Sequence, residues 1–144
     1  MKFTLNWLKD HLETSKDLDS IVQTLTNIGL EIENVEDKSK SYSDFTVAEV
    51  LEAKQHPDAD RLKVCSVKTS YGTFQVVCGA PNARVGMKGI FAPENSFIPG
   101  TGIKLKKSKI RGVESCGMLV SEREMGISDE HDGIIEVDPK HRLG

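Results

Sequence analysis

With 144 residues, 38% apolar and 28% charged, the chain has the composition of one globular domain, or one domain with a small appendage, and this excludes disordered and fibrous classes. The net charge of −3 argues superficially against nucleic acid, but residues 1–38 hold 4 Lys against 8 Asp and Glu, residues 39–126 hold 13 Lys and Arg against 9, and residues 127–144 hold 2 against 5. No apolar run approaches bilayer length and no small-residue cleavage site follows the amphipathic start MKFTLNWLKDHLE, so neither a membrane span nor a secretory signal is expected, and the cytoplasm is the expected compartment.

Leu5, Leu8 and Leu12 recur at helical spacing and predict a short helix with one buried face. Ser15, Asp17 and Asp19 then offer N-cap oxygens and a negative first turn. Ile21, Leu25 and Ile28, widened by Val22, give a second helix, which Gly29 ends at the left-handed C′ position. Leu30 and Ile32 alternate with Glu31 and Glu33, which predicts a strand. This piece is too short to enclose a core of its own, so its apolar faces need something to dock on, and Trp7 is expected in a core. Asp37 to Asp44, polar and serine-rich, reads as a linker.

From Phe45 the pattern changes to short strands. Phe45–Ala48, Leu62–Cys65, Phe74–Cys78, Gly89–Phe91, Ile103–Lys106 and Gly133–Val137 are the candidates. Turn signals separate them at His56-Pro57-Asp58, Tyr71-Gly72, Ala80-Pro81-Asn82 and Pro99-Gly100-Thr101-Gly102. Five or so strands with at most one helical pattern predict a small barrel or sandwich.

No catalytic motif is found. Gly112 to Gly117 has the wrong spacing for a nucleophile elbow, no GxxxxGK loop exists, and Gly100-Thr101-Gly102 lacks the third glycine of a dinucleotide fingerprint. Cys65, Cys78 and Cys116 are odd in number and far apart, which suggests neither a zinc site nor a disulfide framework. His56, Asp58 and Asp60 place an imidazole near two carboxylates, but without a further ligand cluster they read as a turn. The main chemical signal is Lys104, Lys106, Lys107, Lys109 and Arg111, five cations in eight residues. A phosphate backbone would compensate them; a lysine-rich strand edge that resists aggregation is the alternative. Phe74, Phe91 and Phe97 could stack on unpaired bases or fill the barrel. Met118 and Met125 read as packing residues.

Three ordered blocks extend the reading: HPDADRLKVCSV (His56–Val67), VVCGAPNARVGMKGIFAP (Val76–Pro93) and IKLKKSKIRGVESCGMLVSERE (Ile103–Glu124). Together they resemble the tRNA-binding OB-fold domain of bacterial phenylalanyl-tRNA synthetase β subunits, some methionyl-tRNA synthetases and stand-alone or cytokine-like proteins. The opening MKFTLNWLKDHL with LTNIGLEIENVED resembles the phenylalanyl β subunits, and the stand-alone proteins lack it. The family usually reads GMLCSE where Val120 stands here, an apolar exchange consistent with packing.

The resemblance implies a mainly β fold: a five-stranded OB barrel at 39–144, preceded by a small α+β segment at 1–38 that belongs to a domain completed by further chain. It implies phosphate contacts from Lys104, Lys106, Lys107, Lys109 and Arg111. It places Ser115, Met118, Ser121 and Glu122 in the motif lining the binding face, Asn82 and Arg84 in a neighbouring loop, and Arg61 and Lys63 beside an adjacent strand. The implied role is support of ATP-dependent charging of tRNA with phenylalanine, within a heterotetramer of two α and two β subunits. The α subunit would hold the chemistry, with ATP and magnesium, and editing would lie elsewhere in the β subunit. No catalytic residue, metal or cofactor is expected in these 144 residues. A stand-alone tRNA-binding protein and a subunit-packing module with little tRNA contact are the alternatives.

Overall fold

A computed structural model describes residues 1–144, which divide into two compact units, Met1–Asp37 and Lys38–Gly144. In the first unit, helix α1 (Leu5–His11) begins where the Thr4 hydroxyl accepts the Trp7 amide at 3.1 Å. Helix α2 (Leu18–Asn27) begins at Asp17, whose carboxylate accepts the Ser20 amide at 2.9 Å; hydrogen bonding to Ser20 holds the carboxyl below its ordinary range. It ends as the glycine predicts. Gly29, at φ 91°, donates to Thr26 O, and Leu30 donates to Leu25 O, the paired bonds of a Schellman motif.

Two expectations for this unit fail. Leu30–Glu33 forms no strand, because no second strand within Met1–Asp37 is there to accept its hydrogen bonds. Trp7 is 56% exposed rather than core, and only Ile21 is buried in the whole unit. Thirty-seven residues cannot surround so large a ring.

The second unit is antiparallel β. Strands β1 (Thr46–His56), β2 (Ala59–Thr69), β3 (Gly72–Cys78), β4 (Lys88–Pro93) and β9 (Gly117–Leu119) form one sheet in the order β3-β2-β1-β4-β9. Two small hairpins complete it: β5 (Phe97–Ile98) with β6 (Ile103–Lys104), and β7 (Ser108–Ile110) with β8 (Val113–Ser115). The β1–β2 register slips at Leu51, between Val50↔Val67 and Glu52↔Ser66. This bulge lets Val50 and Ala53, three residues apart, both face the core, a spacing that an unbroken strand forbids.

Strand β4 is covered on both faces. Phe91 enters one apolar cluster with Ala48, Val50, Val67, Val76 and Leu119; Ile90 and Ala92 enter another with Ile98, Val120 and Met125. Cys65 and Cys78 lie in the first cluster as free thiols, and burial pushes Cys65 up to about 11, so these are inert packing residues. The serine-rich run is not wholly a linker. Lys38–Tyr42 forms a 3-10 helix, anchored where the Tyr42 hydroxyl donates to Met125 O at 2.8 Å. Gly133–Val137 also departs from the expected strand. It makes one isolated bridge, Lys88↔Val137, and is otherwise held by Ile135 donating to Val120 O and by both amide atoms of Asn82 on Ile134.

The β4–β9 pairing sets Gly117 opposite Pro93, with the Phe91 ring lying on the glycine. A Cβ there would stand 2.3 Å from Phe91 Cε2 and 2.7 Å from Ala92 O. The ring of Phe74 stacks on Phe91, with centroids 5.2 Å apart, and Phe91 is wholly buried, so its ring is held in a packed core. Gly117→Ala is therefore expected to lower stability by about 1–3 kcal/mol, the usual cost of overpacking, measured as the shift in urea unfolding free energy. A neutral result would show that Phe91 can swing aside.

Candidate nucleic-acid interface

The basic run does not form one strand. Lys104 ends β6, Lys106 and Lys107 lie in the connection, Lys109 sits in β7 and Arg111 occupies the β7–β8 turn. All five are exposed. The turn has two residues, because Ile110 pairs with Val113, and both have positive φ, 48° at Arg111 and 85° at Gly112. That is a type I′ hairpin, whose twist matches the flanking strands. Mutual repulsion among the cations is relieved at one place: Lys107 Nζ lies 3.3 Å from Glu114, and that hydrogen bond raises the lysine pKa. Lys104, Lys106 and Lys109 have no carboxylate partner. Lys104 pairs across the β5–β6 hairpin with Phe97, which is 54% exposed, so the two side chains leave the same face of the hairpin.

The β7–β8 hairpin is fastened at both ends. At its base, Ser115 Oγ accepts the Val77 amide at 3.1 Å and donates to Gly117 O, while Gln75 Nε2 donates to Glu114 O and the Cys116 amide donates to Gln75 O. At its tip, Arg111 Nη1 donates to Asp58 O at 3.2 Å and buried His56 reaches Ile110 O at 3.0 Å. The Asp58 amide donates to His56 Nδ1 at 3.0 Å. Nδ1 is thus the acceptor, the ring proton sits on Nε2, and Nε2 donates to Ile110 O. Both nitrogens of the expected turn histidine are taken up by backbone. The HPD turn that signals the first bond is visible in the sequence, but the partner 54 residues away is not.

The remaining expected site residues divide by accessibility. Arg61 is exposed. Lys63 turns inward, donating to Ala83 O at 2.7 Å and Pro81 O at 3.4 Å. Asn82 clamps Ile134, and Arg84 pairs with Glu136. Ser115 and Ser121 are buried, with Ser121 bonded through its amide and hydroxyl to Glu124. Met118 packs half-buried on the second apolar cluster, and Glu122 accepts from the Ser128 hydroxyl at 2.6 Å. Of the three candidate phenylalanines, Phe91 is wholly buried and Phe74 half-buried, which leaves Phe97 as the one of the three open to a ligand. Tyr71, also 54% exposed, is a further surface ring that the alternation pattern does not reveal.

A five-stranded antiparallel sheet that presents cations and an aromatic on attached hairpins is the architecture of a nucleic-acid-binding β module. The chain belongs to the tRNA_bind family, whose model, described as "Putative tRNA binding domain", matches residues 45–144. Among curated proteins it is 60% identical over 139 residues to the phenylalanine–tRNA ligase beta subunit of Mesorhizobium japonicum and 55% identical over 146 residues to that of Bradyrhizobium diazoefficiens. These alignments cover 95% and 100% of this chain but 17% and 18% of the relatives, so the chain spans less than a fifth of their length. A crystal structure of a MetRS-related protein from Pyrococcus horikoshii shares the fold at TM-score 0.53 and 22% identity, covering 77% of this chain and 95% of that one.

The left-handed φ at Arg111 makes its own test. A β-branched side chain tolerates that conformation poorly, whereas Asn adopts it readily. Arg111→Val is expected to cost about 1–2 kcal/mol in chemical denaturation, and Arg111→Asn to leave stability within about 0.5 kcal/mol of the parent. Equal losses for both would mean that the Asp58 contact, not backbone conformation, carries the effect.

Proposed function

We propose that this chain is the tRNA-binding front part of a phenylalanine–tRNA ligase β subunit and that it grips the RNA through phosphates and an unpaired base. The observation that carries the reading is the exposed set Lys104, Lys106, Lys107, Lys109 and Arg111 on two hairpins and the connection between them, beside exposed Phe97. Lysines without carboxylate partners favour a polyanion, because each phosphate contact releases a condensed counterion. Arg61 extends the surface. Lys63, Asn82 and Ser115 act from inside, by holding backbone, Ser121 does so by binding the Glu124 carboxylate, and Arg84, Met118 and Glu122 support the loops around them.

The five-stranded sheet is proposed to close into an OB barrel. Supporting this, its edge strand β3 exchanges hydrogen bonds at Gln75 and Val77 with Glu114–Cys116, the residues that lead directly into the opposite edge strand, β9. Residues 1–38 are proposed as part of a separate domain completed by other chain, with 39–144 as the OB domain. Exposed Phe3, Trp7, Leu12, Ile28, Leu30 and Val35 support that assignment, since such a surface needs a cover.

In the parent enzyme, an α subunit in an assembly of two α and two β subunits would perform ATP- and magnesium-dependent charging in the cytoplasm. Within the 144 residues, no group of three His, Cys, Asp or Glu is placed to hold a metal ion. No helix is long and apolar enough to cross a membrane.

Titration of phenylalanine tRNA with the 144-residue chain at rising salt tests the reading. Five phosphate contacts predict a slope of log K against log salt of about −3.5 to −4.5, and Lys106→Ala/Lys107→Ala/Lys109→Ala together should flatten it by about 2–3 while circular dichroism is unchanged. A salt-independent affinity, or binding to an isolated α subunit with no measurable RNA binding, would overturn it in favour of a packing module.

A further inference from the structure

We infer that His56 is a positioning residue for RNA binding: it latches the tip of the basic β7–β8 hairpin to the β1–β2 turn, so that Lys109 and Arg111 meet the phosphates already oriented. The inference rests on the phosphate reading above and goes beyond it, because His56 lies in a different element and is itself closed to ligand.

Three observations converge on the latch. His56 is 2% exposed, so it cannot touch RNA. Both its ring nitrogens are engaged, Nδ1 by the Asp58 amide and Nε2 on Ile110 O, the residue immediately before the turn. Arg111 returns the link by donating to Asp58 O, so two hydrogen bonds in opposite directions join the same pair of turns. The hairpin needs this restraint. Its strands have three residues each, and a two-stranded ribbon is marginal in water. Its base is fixed by Ser115 and Gln75, but no other side-chain hydrogen bond joins its tip, Ile110–Val113, to the rest of the fold. A tip that samples released positions binds more weakly in proportion to the fraction of time it is competent. The imidazole suits the task because one rigid ring supplies an acceptor for its own turn and a donor to a distant one, with few rotamers to freeze.

The test separates the two halves of the ring. Asn at 56 keeps a short acceptor near the Asp58 amide but cannot reach Ile110 O. Gln carries an amide donor out to the Nε2 position. His56→Asn is expected to weaken tRNA binding about 10-fold, the equilibrium worth of one net hydrogen bond, and to speed hydrogen exchange at residues 108–115 while leaving the β1–β4 amides protected. His56→Gln is expected to restore both affinity and protection to near the parent values. In an Arg111→Ala background, which removes the returning bond and the tip charge, His56→Asn should cost less than in the parent chain. Wild-type affinity in His56→Asn, or equal losses in the Asn and Gln variants, would overturn the positioning role. A parent chain that fails to bind tRNA would overturn the phosphate reading and this role with it, and the parent titration alone reveals that outcome.

Discussion

The contact between the Phe91 ring and the bare backbone of Gly117 decides where the rest of this domain can go. Strand β9 pairs with β4 only because nothing projects from residue 117 into the ring, and the ring is itself buried and stacked on Phe74. With β9 seated, Glu114–Cys116 falls beside β3, and the hydrogen bonds from Gln75, Val77 and Cys116 become possible. Those bonds fix the base of the basic hairpin. An apolar packing constraint in the core is thus converted, within a few residues, into the placement of charge on the surface.

The electrostatics follow from that placement. The run Lys104–Arg111 would be self-repelling as a single extended strand. It is instead divided over two hairpins and their connection, and Glu114 in β8 neutralises Lys107. Exposed pairs such as Lys107–Glu114 contribute little to folding, so a polyanion can displace them at small cost. The inward-turned Lys63 is different: its ammonium is occupied by two loop carbonyls, and its service is to the Ala80–Ala83 loop.

Much of this is legible from local patterns. Both helices, the Asp17 cap and the Gly29 stop follow from short-range rules, and the strands with strict alternation, at Leu62–Cys65 and Phe74–Cys78, lie within β2 and β3. The family, too, is carried by contiguous blocks of residues. Illegible features are those that depend on a distant partner. Trp7 looks like core in any sequence, and only the surrounding chain decides whether it is. Leu30–Glu33 alternates like a strand, but alternation does not supply a neighbour to pair with. The β7, β8 and β9 segments escape a sequence reading because three-residue strands give no period to detect, and Ser115 and Ser121 read as surface polar residues until the fold shows them bonded inside. His56 reads as a turn, and it is one, but its second role lies 54 residues away.

Nearly every long-range polar tie in the domain ends on a main-chain group: His56 on Ile110, Arg111 on Asp58, Lys63 on Ala83, Asn82 on Ile134, Lys88 on Pro139 and His141, Gln75 on Glu114. A carbonyl is present whatever side chain the receiving residue carries. Mutation at the receiving end therefore leaves the bond intact, and no compensating change is demanded of the donor. Over long divergence such a domain can exchange the receiving side chains silently, and a search for correlated substitutions would overlook these ties.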